Sequence, residues 1–331
     1  MARVTIADVA REAQVSTMTV SRVVNGTGKT SDRTRARVED AVSQLGYRPN
    51  RLARSLTSQR TYTLGFVVPD INNPFFPEIV RGAEDAAWAR DYTLMLCSTV
   101  EDLEREEEIL RILEDKQVDG LILCSARLPD DKLFPLVQRH PAALLVNRTA
   151  PPGVAGTLRV HDAQGTMRAV HHLLSSGRET LGLLAGPPYS YSAQRRREGF
   201  ETALETTGRA VNAELIRPCS PDEAGGFETA KTLLSEHSNL EGLICYNDLV
   251  AVGALQACAD LGIAVPTYLA VVGCDDIRLA SLVTPALTTL RVSKYDLGVK
   301  ACQMLLDRIE GKPQEERVVI KPELVVRQSA P

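Results

Sequence analysis

The 331-residue sequence lacks most marks of an exported, membrane-bound or catalytic protein. No apolar run approaches the roughly 20 residues that a membrane span needs. The opening MARVTIADVAREAQ has no signal-peptide apolar stretch. Cysteines at Cys97, Cys124, Cys219, Cys245, Cys258, Cys274 and Cys302 form no Cys-x-x-Cys pair. Scattered through apolar segments, they read as reduced core thiols and point to the cytoplasm. Of five histidines only His171 and His172 adjoin, with no acidic or thiol ligand nearby, so neither a metal nor a cofactor is expected. There is no G-x-S-x-G elbow and no G-x-G-x-x-G after the first strand, which argues against a hydrolase or a dinucleotide enzyme. The GTGKT stretch ending at Thr30 imitates a P-loop, but the first glycine of that motif falls on Val23. SRVVN before it reads as a helix rather than a strand, so ATP hydrolysis is not expected.

What is present is uneven. Residues 1–60 carry 11 Lys/Arg against 5 Asp/Glu, while the remainder carries 27 against 37. A basic head on an acidic body suggests a polyanion partner for the head alone. VTIADVAREAQVSTMTVSRVVNG divides into two short helices. Thr5 with Asp8 makes a capping pair, Ile6, Val9 and Ala10 form an apolar stripe, and Ala13 to Val15 form a tight break. Ser16 caps a second helix whose Val20, Val23 and Val24 face inward. Thr17, Met18, Thr19, Ser21 and Arg22 remain outside. Two such helices are a helix-turn-helix, whose second helix enters the DNA major groove. A third helix, capped by Ser31 or Asp32, closes the mini-core with Val38, Ala41, Val42 and Leu45, and stops at Gly46.

TIADVAREAQVSTMTVSRVVNG followed by TRARVEDAVSQLGYRPNRLARSL closely resembles the lactose-repressor (LacI/GalR-type) family of bacterial transcription regulators, and the resemblance spans essentially the whole chain. Gln14 departs from it, since members often have a small residue in that turn. The resemblance implies that Thr17, Met18 and Arg22 face base edges, with Arg22 placed for a bidentate contact to guanine. It implies that Thr5, Ser16, Thr19, Ser21, Asn25, Lys29 and Tyr47 mostly fix the head on phosphates. RPNRLARSL resembles the family's hinge helix, too short to be stable alone in water. Leu56 would wedge into a minor-groove step, Ala53 would allow close approach, and Asn50 and Arg54 would supply polar contacts.

From Tyr62 the rhythm changes. Strands such as TLGFVVPD, TLMLCST, VDGLILCSA and AALLVNR alternate with amphipathic helices, and a second cycle runs from TLRVHDAQGT to LAVVGCDD. The expectation is an α/β chain: a three-helix head and hinge helix, then two lobes of doubly wound parallel sheet. The resemblance implies a core like a periplasmic sugar-binding protein. The divisions are 1–49 for the head, 50–61 for the hinge and linker, and 62–331 for the core. Lobe 1 takes 62–161 and 291–321, and lobe 2 takes 162–290 and 322–331.

Ligands in such folds sit where strands end, between the lobes. By resemblance, Phe75, Asn147, Ser192, Arg196, Asn247 and Asp275 bind the effector. Their chemistry suits a polyol: charged and amide groups grip hydroxyls while an aromatic packs on a ring face. An aromatic often found near Pro221 is absent from CSPDEAGGF. Lys294 either joins Arg196 to favour a sugar acid or sugar phosphate, or snorkels to solvent and leaves a neutral sugar. The implied protein is a cytoplasmic, nucleoid-associated repressor of a carbohydrate operon, bound as a homodimer to palindromic double-stranded operator DNA. An activator or dual regulator of the same family is the alternative, and a solute-binding protein or an enzyme on the same core is less favoured. No heptad pattern follows Glu323, so a dimer is expected rather than a tetramer built on a C-terminal coiled coil.

Overall fold

The computed structural model describes residues 4–24, 28–47, 60–313 and 315–331. They fall into two compact units, Met1–Thr61 and Tyr62–Pro331.

The first unit is a three-helix head: α1 (Ile6–Glu12), α2 (Thr17–Val24) and α3 (Asp32–Leu45). Local polar bonds fix where each helix starts. The Thr5 amide and hydroxyl both donate to Asp8 Oδ2, at 2.9 and 2.7 Å. Ser16 Oγ accepts from the Thr19 amide at 3.1 Å, and Ser31 Oγ from the Thr34 amide at 3.3 Å. Ser31, not Asp32, therefore caps α3. Gly46 ends it in the left-handed conformation, φ 61°. Val9, Val20 and Val38 are fully buried and each helix supplies one, so the mini-core needs all three.

The turn between α1 and α2 places Gln14 at φ 52°. A side chain there costs about 1–2 kcal/mol relative to glycine, and Arg37 helps hold the turn by donating to the carbonyls of Ala13 and Gln14. Gln14→Gly is expected to stabilise the head by about 1 kcal/mol, after subtracting the greater freedom of unfolded glycine. Thermal melting of the isolated head unit measures it, and no rise in Tm would remove strain as the reason this turn favours small residues.

The second unit contains two six-stranded sheets. The first comprises β1 (Thr63–Val68), β2 (Thr93–Ser98), β3 (Gly120–Cys124), β4 (Ala143–Val146), β5 (Gly156–Val160) and β11 (Arg317–Ile320), in the order β11-β5-β4-β3-β1-β2. All its pairings are parallel. The second comprises β6 (Leu181–Leu184), β7 (Ile216–Arg217), β8 (Gly242–Cys245), β9 (Ala270–Asp275), β10 (Thr288–Arg291) and β12 (Glu323–Val325), in the order β12-β10-β9-β8-β6-β7. Here β12 runs antiparallel to β10, a departure from a wholly parallel sheet. Central strands are buried along almost their whole length, as sheets covered on both faces must be, whereas edge strand β2 is half-exposed.

Helices α4 (Phe75–Trp88), α5 (Leu103–Asp115), α6 (Asp130–Val137) and α11 (Lys294–Ile309) cover the first sheet. Helices α7 (Asp162–Ser175), α8 (Tyr191–Thr206), α9 (Glu223–Glu236) and α10 (Asp248–Asp260) cover the second. The chain crosses between lobes three times, after β5, β10 and β11. At the crossing of α4 with α11 the backbones nearly touch. A Cβ on Gly298 would lie 1.9 Å from the Ile79 carbonyl oxygen, and one on Gly82 would lie 2.1 Å from that of Tyr295. No helix among the described residues is long and apolar enough to cross a membrane. Among the described residues no group of three or more His, Cys, Asp or Glu could hold a metal ion.

Candidate functional site

Two surfaces carry chemistry, one on each unit. Ser16, just before α2, and Thr17, Met18 and Arg22 on it are exposed, with Met18 at 62%, while Val20 is buried beneath them. Thr19 and Ser21 are half-buried at the flank, and the Ser16 and Thr19 hydroxyls bond each other at 2.9 Å. Thr5 and Lys29 are exposed, and Tyr47 packs partly on the mini-core. Gly28, at φ 81°, lets the loop fold back beneath the aliphatic stem of Arg22, whose Cδ would stand 3.4 Å from a Cβ there. A helix face with an adaptable methionine and a supported arginine can enter a groove and read base edges. Asn25, Asn50, Ala53, Arg54 and Leu56 lie outside the described residues.

In the second unit, Phe75, Asn147, Ser192, Arg196, Asn247 and Asp275 converge on one inner chamber between the lobes. Arg196 is its fixed cation. Its Nε donates to Asp162 Oδ1 at 2.9 Å, its Nη2 lies 3.6 Å from Asp275 Oδ1, and its Nη1 donates to the Tyr246 carbonyl. The guanidinium also sits 4.9 Å over the Tyr246 ring. Asn247 Oδ1 caps α10 through the Val250 amide at 2.8 Å, while its Nδ2 donates to the Pro221 carbonyl at 2.8 Å. Phe75 meets Phe76 edge-on, with centroids 5.2 Å apart.

Strand ends here are bent into the left-handed region: Val100 after β2, Ser125 after β3, Asn147 after β4, Asp275 and Asp276 at β9. Non-glycine residues there cost about 1–3 kcal/mol each and persist only where neighbours hold them, a pattern typical of binding clefts. Asn147 is held through its Oδ1, which accepts from the Val160 amide at 3.3 Å.

A model of lacI-family bacterial regulatory proteins matches residues 5–50, and one of the periplasmic binding protein-like domain matches residues 170–330. The HTH-type transcriptional regulator RegA of Clostridium saccharobutylicum is 36% identical over 326 residues, 98% of each chain. The chain belongs to the lacI family. Among solved structures, the lac repressor dimer bound to operator and the anti-inducer ONPF matches this lacI-family chain with a TM-score of 0.90 and 27% identity, covering 99% of each. A complex of the transcriptional regulator CelR with cellobiose matches with a TM-score of 0.74 and 29% identity, covering 99% of this chain and 100% of that one. The lacI-family chain is therefore a helix-turn-helix transcription regulator, and the family closes the enzyme alternative.

Lys294 sits apart from the other six effector residues named from the sequence. It does not line the chamber, and it does not snorkel either, being only 5% exposed. Its Nζ donates to the carbonyls of Asp275 and Asp276 at 2.9 and 2.8 Å and lies 3.5 Å from Glu78 Oε2. The bent backbone at Asp275 and Asp276 turns two carbonyl oxygens toward the start of α11, and this draws the ammonium away from the cleft. Lys294 thus ties lobe 2 to lobe 1.

Sequence reasoning missed a second cation in this lacI-family cleft. Arg127, 3% exposed, pairs bidentately with Glu101 at 2.7 and 2.8 Å. Across the lobes its Nη1 donates to Ser190 Oγ at 2.9 Å, and that hydroxyl lies 3.0 Å from the Tyr246 hydroxyl. Buried Glu106 holds the loop by accepting from the Arg127 and Leu128 amides, while burial pushes its carboxyl above the usual range. Position was the available signal: Glu101 and Arg127 each follow a strand end by three residues, where this fold places its ligand groups.

Proposed function

We propose that this lacI-family regulator is a cytoplasmic repressor of a carbohydrate-utilisation operon. It binds a palindromic operator as a homodimer and is controlled by an uncharged sugar-like effector held between its lobes. The observation that carries the effector class is charge closure. Arg196 is met by Asp162 and Asp275, Arg127 by Glu101, and Lys294 by two carbonyls and Glu78. Among the described residues of the cleft no cation is left to welcome an acid or a phosphate, whereas amide, hydroxyl and aromatic groups suit a polyol. The cellobiose held by a relative of similar fold supports the same reading. A gel-shift assay on palindromic DNA, repeated with neutral sugars and their acid or phosphate counterparts, tests it. Release of DNA, or tighter binding, only with the anionic members would overturn the effector class.

In the head, Thr17, Met18 and Arg22 read bases, and Thr5, Ser16, Thr19, Ser21, Lys29 and Tyr47 hold phosphates. Arg22→Ala is expected to weaken operator binding by about 1–3 kcal/mol and to relax preference at one base pair per half-site. Lys29→Ala is expected to weaken all sequences alike and to flatten the salt dependence. Equal losses on operator and random DNA for both variants would refute this division.

Burial pushes the Asp275 carboxyl up to about 6, against the pull of Arg196 and Lys294. Folding thus raises its proton affinity, so its contribution to stability grows as pH falls from about 7 toward 4 and is lost as pH rises through 6. Effector affinity is expected to run the other way, declining as pH drops through about 6, because protonation removes a negative acceptor. Calorimetry across that range reads it, and a flat profile would exclude the carboxylate from the ligand contacts.

A further inference from the structure

The cleft has two chambers of very different size. The inner one, lined by Arg196, Asp275 and their neighbours, keeps only about 20 Å³. That is room for about one water, so even a single sugar ring enters only when the lobes part. Asn73, Glu101 and Pro221 also border an outer chamber, which stands open at about 770 Å³. Ligand sites span about 300–1,000 Å³, so the outer chamber alone has room for a ring and its substituents.

Its walls have their own chemistry. Pro74, Pro187, Pro188, Pro218 and Pro221 line it, presenting apolar faces on backbone with little freedom left to lose. Tyr189, 41% exposed, adds an aromatic face. The 218–223 stretch lines it too, and brings no aromatic ring into it.

Charge decides what can fill it. The lining includes Asp70, Glu101, Asp222 and Glu223, but neither lysine nor arginine. Of these four, among the described residues, only Glu101 has an ion-pair partner, Arg127. Asp70 and Asp222 accept from backbone amides, those of Asn72 at 2.9 Å and Gly225 at 2.7 Å. A wall of uncompensated carboxylates repels anions.

The geometry points to a second ligand subsite in the outer chamber, which takes a further uncharged sugar ring of the effector against the proline wall and Tyr189. The effector is then at least a disaccharide, with one ring gripped by the inner groups. This rests on reading the cleft as the effector site.

The test is calorimetry on the full chain with glucose, galactose and ribose against cellobiose, maltose and lactose, and against disaccharides bearing a carboxylate on the terminal ring. At least one neutral disaccharide is expected to bind tenfold or more tighter than any monosaccharide, and its acidic form tenfold or more weaker. Cys219→Trp, which puts an indole into the chamber, and Tyr189→Ala, on its lining, are expected to erase the disaccharide advantage. Operator affinity, read in parallel, reports that each variant is folded. A monosaccharide that binds as tightly as every disaccharide, or a size preference that survives both variants, overturns the subsite while leaving the effector site standing. If no saccharide of either size binds, the sugar-effector reading falls, and the subsite with it.

Discussion

Replacing Arg196 by alanine is expected to destabilise the core by about 3–5 kcal/mol, the usual penalty for removing one partner of a buried ion pair. The effect is large because Asp162 and Asp275 are both buried and both face that guanidinium. Without it two carboxylates share a dry site, and the Tyr246 carbonyl loses its donor. Asp248, whose carboxyl burial and neighbouring Asp275 already push well up, lies in the same acidic group. Urea unfolding of the core measures the loss. Below the new midpoint, operator binding should persist while effector no longer changes it. A variant that unfolds with the wild type and still responds to effector would remove Arg196 from both roles.

Gly298→Ala is expected to destabilise the core by about 3 kcal/mol, at the upper end for overpacking. Its sign is the telling part. In an ordinary helix interior the same change stabilises by up to about 1 kcal/mol, because alanine is the better helix former. Here the added methyl would meet the Ile79 carbonyl and the Ala83 amide, backbone atoms that cannot swing aside. Helices α4 and α11 would have to separate, opening the face that carries Ile79, Ala83, Leu297 and Ala301. A denaturant midpoint at or above that of the wild type would show that the crossing is looser than the backbone positions indicate.

The sequence made local features readable and left non-local ones hidden. Thr5, Ser16 and Gly46 announce helix ends because capping uses residues three or four positions apart. β1, β3 and β4 announce themselves as continuous apolar runs. β7 has only two residues and shows no periodicity. The antiparallel course of β12 follows from the short link, Lys321 and Pro322, that returns the chain to lobe 2, and no side-chain pattern signals it. Within the site, Arg196 and Asp275 were legible by position and resemblance. Arg127 and Glu101 went unread, since what buries them is the meeting of two lobes distant in sequence. Lys294 was misplaced because its partners are carbonyls turned by the φ of 113° at Asp275 and 50° at Asp276, which residue identity does not disclose.

The three crossings between lobes also fix the order in which the chain can mature as it is made. α4 is complete at Trp88, yet the helix that covers its apolar face, α11, ends at Ile309, and the edge strand β11 comes later still. At about 5–20 residues per second, that face waits about 10–40 s for its partner during synthesis. Lobe 2 has five of its six strands between Leu181 and Arg291, so its sheet can assemble before lobe 1 is sealed. The lobe encoded first is therefore finished last, and chains truncated before Lys294 leave Ile79 and Ala83 bare to any chaperone or neighbouring chain.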